Sequence, residues 1–287
     1  MRWSKSLGTK SSALVVAAMA LAACQTVDPV PEGSARIAQA WSRNELAPPL
    51  SGDYGKEFTL DTAYRVQRAA FQQFYQGTSA LGFKAALTSP AAQQMYGVNQ
   101  PLAAALPPNA QLKREEDGYH QVLKEFRQPM AELEIGFRIG QRIKTPIADV
   151  RALQALVTEI SPVVELPEFA HQGADNKFGV TDIIASNAGA RRLILGAARA
   201  PAQIDANNVA VTLYREGEVL TQGTGRDVLG DQWQALLWLV NRVVASGWQI
   251  EPGQLLITGT MGRPVKLRDG LYVADFGKLG RIEWMAE

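Results

Sequence analysis

Hydrophobic and polar positions alternate most regularly in residues 131–137, which read Ala-Glu-Leu-Glu-Ile-Gly-Phe. Successive side chains of a strand point to opposite faces, so Leu133 and Ile135 share one face while Glu132 and Glu134 share the other. The pattern predicts a strand with an apolar face against a core. The two carboxylates then lie roughly 6.5–7 Å apart along the strand. On spacing alone, an exposed edge strand with two solvated glutamates is the preferred interpretation.

A second strand-like run, residues 162–166, supplies another carboxylate in Glu165. Like charges on a face partly closed to water are unfavourable unless a positive charge lies between them. Hard divalent cations such as Mg²⁺ prefer carboxylate oxygens. Glu132, Glu134 and Glu165 are therefore the candidate metal ligands.

Apolar residues at helical spacing predict four longer helices. They cover 34–44 with Ser34 as N-cap, a stretch from Thr59 or Asp61 to about Tyr75, 148–160, and the strongly apolar 232–244. Ser89 followed by Pro90 is typical of a helix start. Further strands are expected at 82–88, 255–258 and 271–276, and a hairpin at 209–221. The small residues within 181–195 suit either a close-packed turn or a helix.

The first residues are typical of a targeting segment. Residues 1–23 combine a basic start with an apolar stretch too short to span a bilayer comfortably. Leu21-Ala22-Ala23-Cys24 resembles a bacterial lipobox, which predicts lipidation of Cys24, with an ordinary signal peptide or short anchor as the alternative. Residues 24–33 read as a polar tether.

The composition is that of a globular protein and does not favour nucleic-acid binding. The chain has 287 residues, 46% of them hydrophobic, and a net charge of +1. It can bury a sizeable core, and it shows no basic patch for nucleic acid. Cys24 is the only cysteine, which excludes an internal disulfide.

Several stretches, in order, resemble the 2-keto-4-pentenoate hydratase family within the fumarylacetoacetate hydrolase-like superfamily. The matching segments are 63–67, 84–89 with 96–98, 132–134, 164–165, 182–187, 223–230 with 238–239, 257–259 and 276–280. The resemblance extends from about residue 34 to the C-terminus. It implies an α+β fold with a helical and strand region at 34–120 and a mixed β-roll core at 121–287.

The same resemblance implies the chemistry. Mg²⁺ or Mn²⁺ would be held by Glu132, Glu134 and Glu165, and Lys84 would assist proton transfer. Glu168 replaces the family's usual aspartate as a second catalytic residue. The resemblance also implies that Thr88, Ser89 and Asn187 contact a 2-oxo or 2-hydroxydienoate substrate. The reaction would add water to a 2-hydroxy-2,4-dienoate and give a 4-hydroxy-2-oxo acid.

The chain departs from the family at positions 168, 169, 170 and 186, where Glu, Phe, Ala and Ser replace Asp, Ser, Arg and Asp. Two alternatives therefore stay open. One is a 2-oxo-3-enedioate decarboxylase of the same family, and the other is a non-catalytic envelope lipoprotein that binds a 2-oxo acid. The lipobox predicts an envelope location anchored in the membrane, with the periplasmic face of the outer membrane favoured by Gln25. We also expect a homo-oligomer.

Overall fold

The computed structural model describes Met1, residues 28–168 and residues 178–287. The predicted signal peptide, its Cys24 and positions 169–170 lie outside these residues.

Seven α-helices lie within the described residues: α1 Pro29–Ser42, α2 Ser51–Tyr54, α3 Leu60–Phe74, α4 Pro90–Met95, α5 Val150–Gln154, α6 Val180–Ala185 and α7 Gln232–Ala245. Side-chain oxygens cap the N-termini of several helices. The Thr59 hydroxyl accepts from the Thr62 N–H in α3, and the Asp231 carboxylate accepts from the N–H groups of Trp233 and Gln234 in α7. No helix in this part of the chain combines the length and hydrophobicity that a membrane crossing requires.

Twelve strands lie in the same residues: β1 Gly82–Ala86, β2 Leu102–Leu106, β3 Tyr119–Gln121, β4 Met130–Ile139, β5 Val157–Leu166, β6 Arg192–Leu195, β7 Ala210–Arg215, β8 Glu218–Thr224, β9 Leu255–Ile257, β10 Val265–Lys266, β11 Gly270–Asp275 and β12 Arg281–Ala286. They form two sheets. The first has the order β2-β1-β9-β4-β5-β6, with β10 on β4, and the second has the order β3-β12-β11-β7-β8.

The first sheet closes on itself. The chain that follows β2 runs alongside β6, where Leu112 N donates to Leu193 O and Leu193 N donates to Ala110 O, both at 2.8 Å. These bonds join the two edges of the sheet and leave a roll with an inner and an outer face. The α+β fold with a β-roll core, expected from the sequence, is what the structure shows.

The outer face of the roll packs against the helices. Phe137 on β4 contacts Trp233 of α7, and Phe83 on β1 contacts Trp248 just after that helix, with ring centroids 5.1 and 5.4 Å apart. The inner face holds a smaller apolar cluster, comprising Leu106, Ala110, Val163, Leu193, Leu255 and Ile257. By strand register, this inner face is also the face that carries Glu134 and Lys84.

Three elements of the structure differ from those predicted from the sequence. α1 begins at Pro29 behind an Asp28 cap, so residues 29–33 of the expected tether belong to the helix and Ser34 is not its cap. The helix expected at 148–160 ends at Gln154, because the β-branched residues from Val157 onward pair with β4. Residues 181–195 divide into α6, a single 3₁₀ turn and β6. The predicted hairpin and the helix at 232–244 are confirmed.

Candidate metal and catalytic site

Three carboxylates meet on the inner face of the roll. Glu132 on β4 lies directly opposite Glu165 on β5, and Glu134 lies one pleat further along β4. One carboxylate oxygen from each glutamate lies within 4.8 Å of the others. All three side chains are buried, with Glu134 having no exposed surface. The alternative of solvated glutamates on an edge strand is therefore wrong, because β4 lies between β5 and β9.

Lys84 enters the same cluster from β1. Its register opposite Ile257 of β9 places it on the inner face. Its Nζ donates to Oε1 of Glu165 at 2.5 Å, and both side chains are 1% exposed. The structure thus brings the predicted catalytic lysine into contact with the predicted metal ligands.

The electrostatics of the cluster follow from burial. Burial, and after it the negative charge of Glu165, raises the pKa of Glu132 to about 7. The pKa of Glu134 is raised well above its ordinary value by burial and by the two neighbouring carboxylates. Burial lowers the pKa of Lys84, but the charges of the three glutamates outweigh it and the net direction is upward.

The segment after β9 completes the site, and sequence reasoning did not assign it a role. The backbone N–H of Gly259 donates to Oε2 of Glu134 at 2.7 Å, and the Thr260 side chain lies close enough to Glu132 to lower the pKa of that carboxyl group. The Thr88 side chain lies against Gly259, which adopts φ +112°. A Cβ at that position would lie 2.1 Å from the Thr88 hydroxyl. The Thr-Gly-Thr sequence directly after a buried strand is the signal that could have indicated this loop.

Two predicted substrate contacts have structural partners instead. The Ser89 hydroxyl accepts from Ala92 N as the cap of α4. The Asn187 amide is bonded on both sides to Ala105 of β2, accepting from its N–H at 2.9 Å and donating to its carbonyl at 2.8 Å. Asn187 adopts φ +66°, which asparagine tolerates better than most residues. Of the predicted substrate contacts, only Thr88 lies beside the carboxylate cluster.

Glu168 does not join the cluster. It lies beyond the end of β5 at Leu166, where it forms an isolated antiparallel bridge with Pro129. Its carboxylate accepts from the backbone N–H groups of Arg127 and Gln128, and it pairs with Arg191 at 3.4 Å. In the structure Glu168 therefore holds the chain that leads into β4, and its catalytic role stays a prediction.

The donor set fits a divalent cation. Two carboxylate oxygens, Oε1 of Glu134 and Oε2 of Glu165, are buried without a hydrogen-bond partner among residues 28–168 and 178–287. Buried acceptors of this kind are costly unless something positive contacts them. Lys84 supplies one positive charge for three carboxylates, and three carboxylate ligands are typical of sites for hard cations.

Comparisons with known proteins agree with this geometry. The family model described as fumarylacetoacetate (FAA) hydrolase C-terminal matches residues 65–284. A 2-keto-4-pentenoate hydratase from Burkholderia vietnamiensis is 30% identical over 256 residues, covering 87% of this chain and 94% of the relative. A 4-oxalocrotonate decarboxylase from a Pseudomonas species is 27% identical over 251 residues, with coverage of 87% and 94%.

A 2-oxo-hept-4-ene-1,7-dioate hydratase from Escherichia coli is 28% identical over 254 residues, covering 86% of this chain and 94% of the relative. Among solved structures, the 4-oxalocrotonate decarboxylase from Pseudomonas putida G7, complexed with magnesium and adipate, superposes with a TM-score of 0.80 at 22% identity. It covers 91% of this chain and 98% of that one. This likeness supports the fold.

Proposed function

Since the chain belongs to the fumarylacetoacetate hydrolase family, we propose that it is a divalent-cation-dependent hydratase that converts a 2-hydroxy-2,4-dienoate into a 4-hydroxy-2-oxo acid. The observation that carries the proposal is the contact between Lys84 and Glu165 within a buried group of three carboxylates. Relatives named as hydratases that are 28–30% identical over most of the chain support the reaction class.

Glu132, Glu134 and Glu165 would hold the cation, which we propose is Mg²⁺ or Mn²⁺. A solved relative of this fold contains magnesium. When bound, the cation would supply Lewis-acid polarisation of the substrate's carboxylate and 2-oxygen. The Gly259 N–H holds Glu134, and Thr260 lies beside Glu132, so both residues would help to fix the ligands for the cation.

The reaction needs two proton movements. The dienol loses its 2-hydroxyl proton and gains a proton at carbon 5, which gives a conjugated 2-oxo-3-enoate. Water then adds its oxygen at carbon 4 while a proton goes to carbon 3. Lys84 Nζ is the group that we propose holds and delivers the proton, because it is a titratable side chain buried against the ligands. Thr88 lies beside the loop that binds Glu134, and its hydroxyl can orient the substrate.

A decarboxylase is the second candidate, because the 4-oxalocrotonate decarboxylase relative is nearly as similar as the hydratases. The test is to supply the purified protein and Mg²⁺ with a 2-hydroxy-2,4-dienoate and, separately, with a 2-oxo-3-enedioate. The hydratase proposal expects the dienoate absorbance to fall and one equivalent of 4-hydroxy-2-oxo acid to form. Release of CO₂ from the enedioate, with the dienoate unchanged, would establish the decarboxylase instead. Binding of a 2-oxo acid without consumption of either substrate would favour the binding protein.

We also propose that the protein is anchored in the cell envelope through a lipid on Cys24. The support is the sequence Leu21-Ala22-Ala23-Cys24 after a short apolar stretch. An envelope address would give the enzyme access to dienoates outside the cytoplasm.

A further inference from the structure

A second cleft lies apart from the carboxylate cluster. It has a volume of about 260 Å³, and neither Lys84 nor any of the three clustered glutamates lines it. We call it the arginine cleft and define it by six of its lining residues, namely Arg127, Arg191, Arg192, Trp41, Phe74 and Tyr75. Glu168 and Asn187, which the sequence had suggested for the catalytic site, line this cleft instead.

One side of the arginine cleft carries an excess of positive charge. Burial is the main cause that lowers the pKa of Arg191. The charges of Glu168 and Glu125 raise this pKa, and those of Arg192 and Arg127 lower it further. Three arginines and two glutamates, Glu45 and Glu168, line the cleft, which leaves one net positive charge among these residues. Glu168 pairs with Arg191 at 3.4 Å. Concentrated positive charge of this kind favours binding of an anion.

The arginines also have donors to spare. A guanidinium carries five N–H donors. Among the described side-chain bonds, Arg127 uses one terminal nitrogen, which bonds the carbonyl of Asn44, and Arg192 uses one, which bonds the carbonyl of Asn109. These backbone bonds hold the guanidinium groups in place without neutralising their charge. Fixed, unneutralised guanidinium groups are well suited to a planar carboxylate.

The other side of the arginine cleft is aromatic. Trp41 meets Phe74 edge to face with centroids 5.6 Å apart, and Phe74 meets Tyr75 at 4.8 Å. Burial raises the pKa of Tyr75, against the charges of Arg192 and Arg191, so its hydroxyl stays protonated at neutral pH and can donate. Aromatic side chains beside fixed donors bind ligands that have a flat apolar body and one polar end.

We propose that the arginine cleft is a second ligand site and that it takes a small aromatic carboxylate. The carboxylate would lie among Arg127, Arg191 and Arg192, and the ring would lie against Trp41 and Phe74. Asn187 lines the cleft and bonds Ala105 of β2, next to the residue that pairs with Lys84 on β1. This short path connects the cleft to the strand that carries the catalytic lysine.

Benzoate is the probe, and titration calorimetry in EDTA is the measurement, so that no divalent cation contributes. We expect benzoate to bind at least roughly 10-fold more tightly than either of two partial analogues. Benzamide has the ring without the charge, and acetate has the charge without the ring. Arg192→Gln and the exposed Arg127→Gln should each weaken benzoate binding by a similar factor.

Two controls locate the site. Arg215→Gln alters a half-buried arginine on β7, away from the cleft, that bonds the carbonyl of Asp269, and it should leave the affinity for benzoate unchanged. Glu134→Gln, which removes one charge from the carboxylate cluster, should also leave it unchanged. Equal binding of benzoate and benzamide, unchanged affinity in both cleft variants, or a changed affinity in Glu134→Gln would each overturn the proposal. Circular dichroism of every variant checks that a lost affinity does not reflect a lost fold.

Discussion

The Nζ atom of Lys84 lies 2.5 Å from Oε1 of Glu165, in the interior of the β-roll where both side chains are buried. β1 contributes the lysine and β5 the glutamate, so the contact depends on the strand order that places β9 and β4 between them. A buried lysine and a buried carboxylate stabilise each other's charged forms. Within the described part of the chain, Glu132 and Glu134 form no ion pair of this kind, and this imbalance determines how the site should respond to metal and to pH.

Glu134→Gln should weaken divalent-cation binding. The substitution keeps the shape of the side chain and an oxygen for the Gly259 N–H, but it removes the negative charge. We expect the affinity for Mg²⁺ or Mn²⁺, measured by titration calorimetry, to fall by roughly 10-fold or more. The matched control is Glu159→Gln on β5, whose carboxylate is 43% exposed and pairs with Arg138. Equal affinities in wild type and Glu134→Gln would place the metal elsewhere.

The metal-free protein should lose stability as the pH rises. Glu132 has an ordinary pKa of 4.5 and a folded-state pKa of about 7. Between these values the folded chain binds more protons than the unfolded chain, so the free energy of unfolding falls with rising pH. The contribution of Glu132 is roughly 3 kcal/mol. Thermal unfolding in EDTA at pH 5 and pH 7.5 measures it.

Two comparisons test the origin of that slope. Mg²⁺ stabilises the ionised carboxylates, so saturating Mg²⁺ should raise the unfolding temperature more at pH 7.5 than at pH 5. Glu132→Gln has no proton to lose and should flatten the dependence in EDTA. An unchanged slope in Glu132→Gln would mean that other groups control it.

Alternation of hydrophobic and polar residues was sufficient to predict β4, the face of its glutamates and the strand with Glu165. Alternation could not locate Glu168, because β5 ends at Leu166 and the backbone N–H groups of Arg127 and Gln128 hold the Glu168 carboxylate. The catalytic role of Glu168 was implied by the family resemblance alone. Local periodicity failed at residues 157–160, where a helical pattern of apolar residues is overridden by pairing of β5 with β4.

Other parts of the site depend on contacts between distant segments. Gly259 reaches Glu134 only because β9 pairs with β4, a register set by tertiary packing rather than by local sequence. The arginine cleft likewise combines residues from α1, α3 and the chain around β4 and β6. No short motif marks residues that come together in this way.

Gly259→Ala should damage the site. The residue adopts φ +112°, and an added Cβ would lie 2.1 Å from the Thr88 hydroxyl. We expect the free energy of unfolding to fall by about 1–3 kcal/mol and the metal affinity to fall with it, because the N–H bonded to Glu134 must move. Gly52→Ala is the control, since its added Cβ meets no atom within 4 Å. Urea unfolding and calorimetry report the two effects, and a Gly259→Ala protein as stable as Gly52→Ala would contradict the argument.

Cys24 should be the lipidated first residue of the mature protein. The basis is the lipobox-like sequence that ends at Cys24, the only cysteine of the chain. Mass spectrometry of the membrane fraction should find a diacylglyceryl group on the N-terminal residue. Cys24→Ser should shift the protein out of that fraction, because it removes the thiol that carries the lipid. Recovery of the wild-type chain from the cytoplasm with Met1 intact would be incompatible with the prediction.

Lys84→Ala should separate the enzyme from a binding protein. If Nζ carries a proton in the reaction, its removal should lower turnover of a 2-hydroxydienoate by roughly 10²–10⁴-fold. Lys84→Arg should not restore the rate, because a guanidinium does not release its proton at neutral pH. Both variants are assayed at saturating Mg²⁺, which compensates the charge of Glu165 that Lys84→Ala leaves unpaired. Binding of a 2-oxo acid, followed by calorimetry, should persist in each. Turnover that survives in Lys84→Ala would assign the proton to another group, and binding without turnover in the wild type would leave only the binding protein.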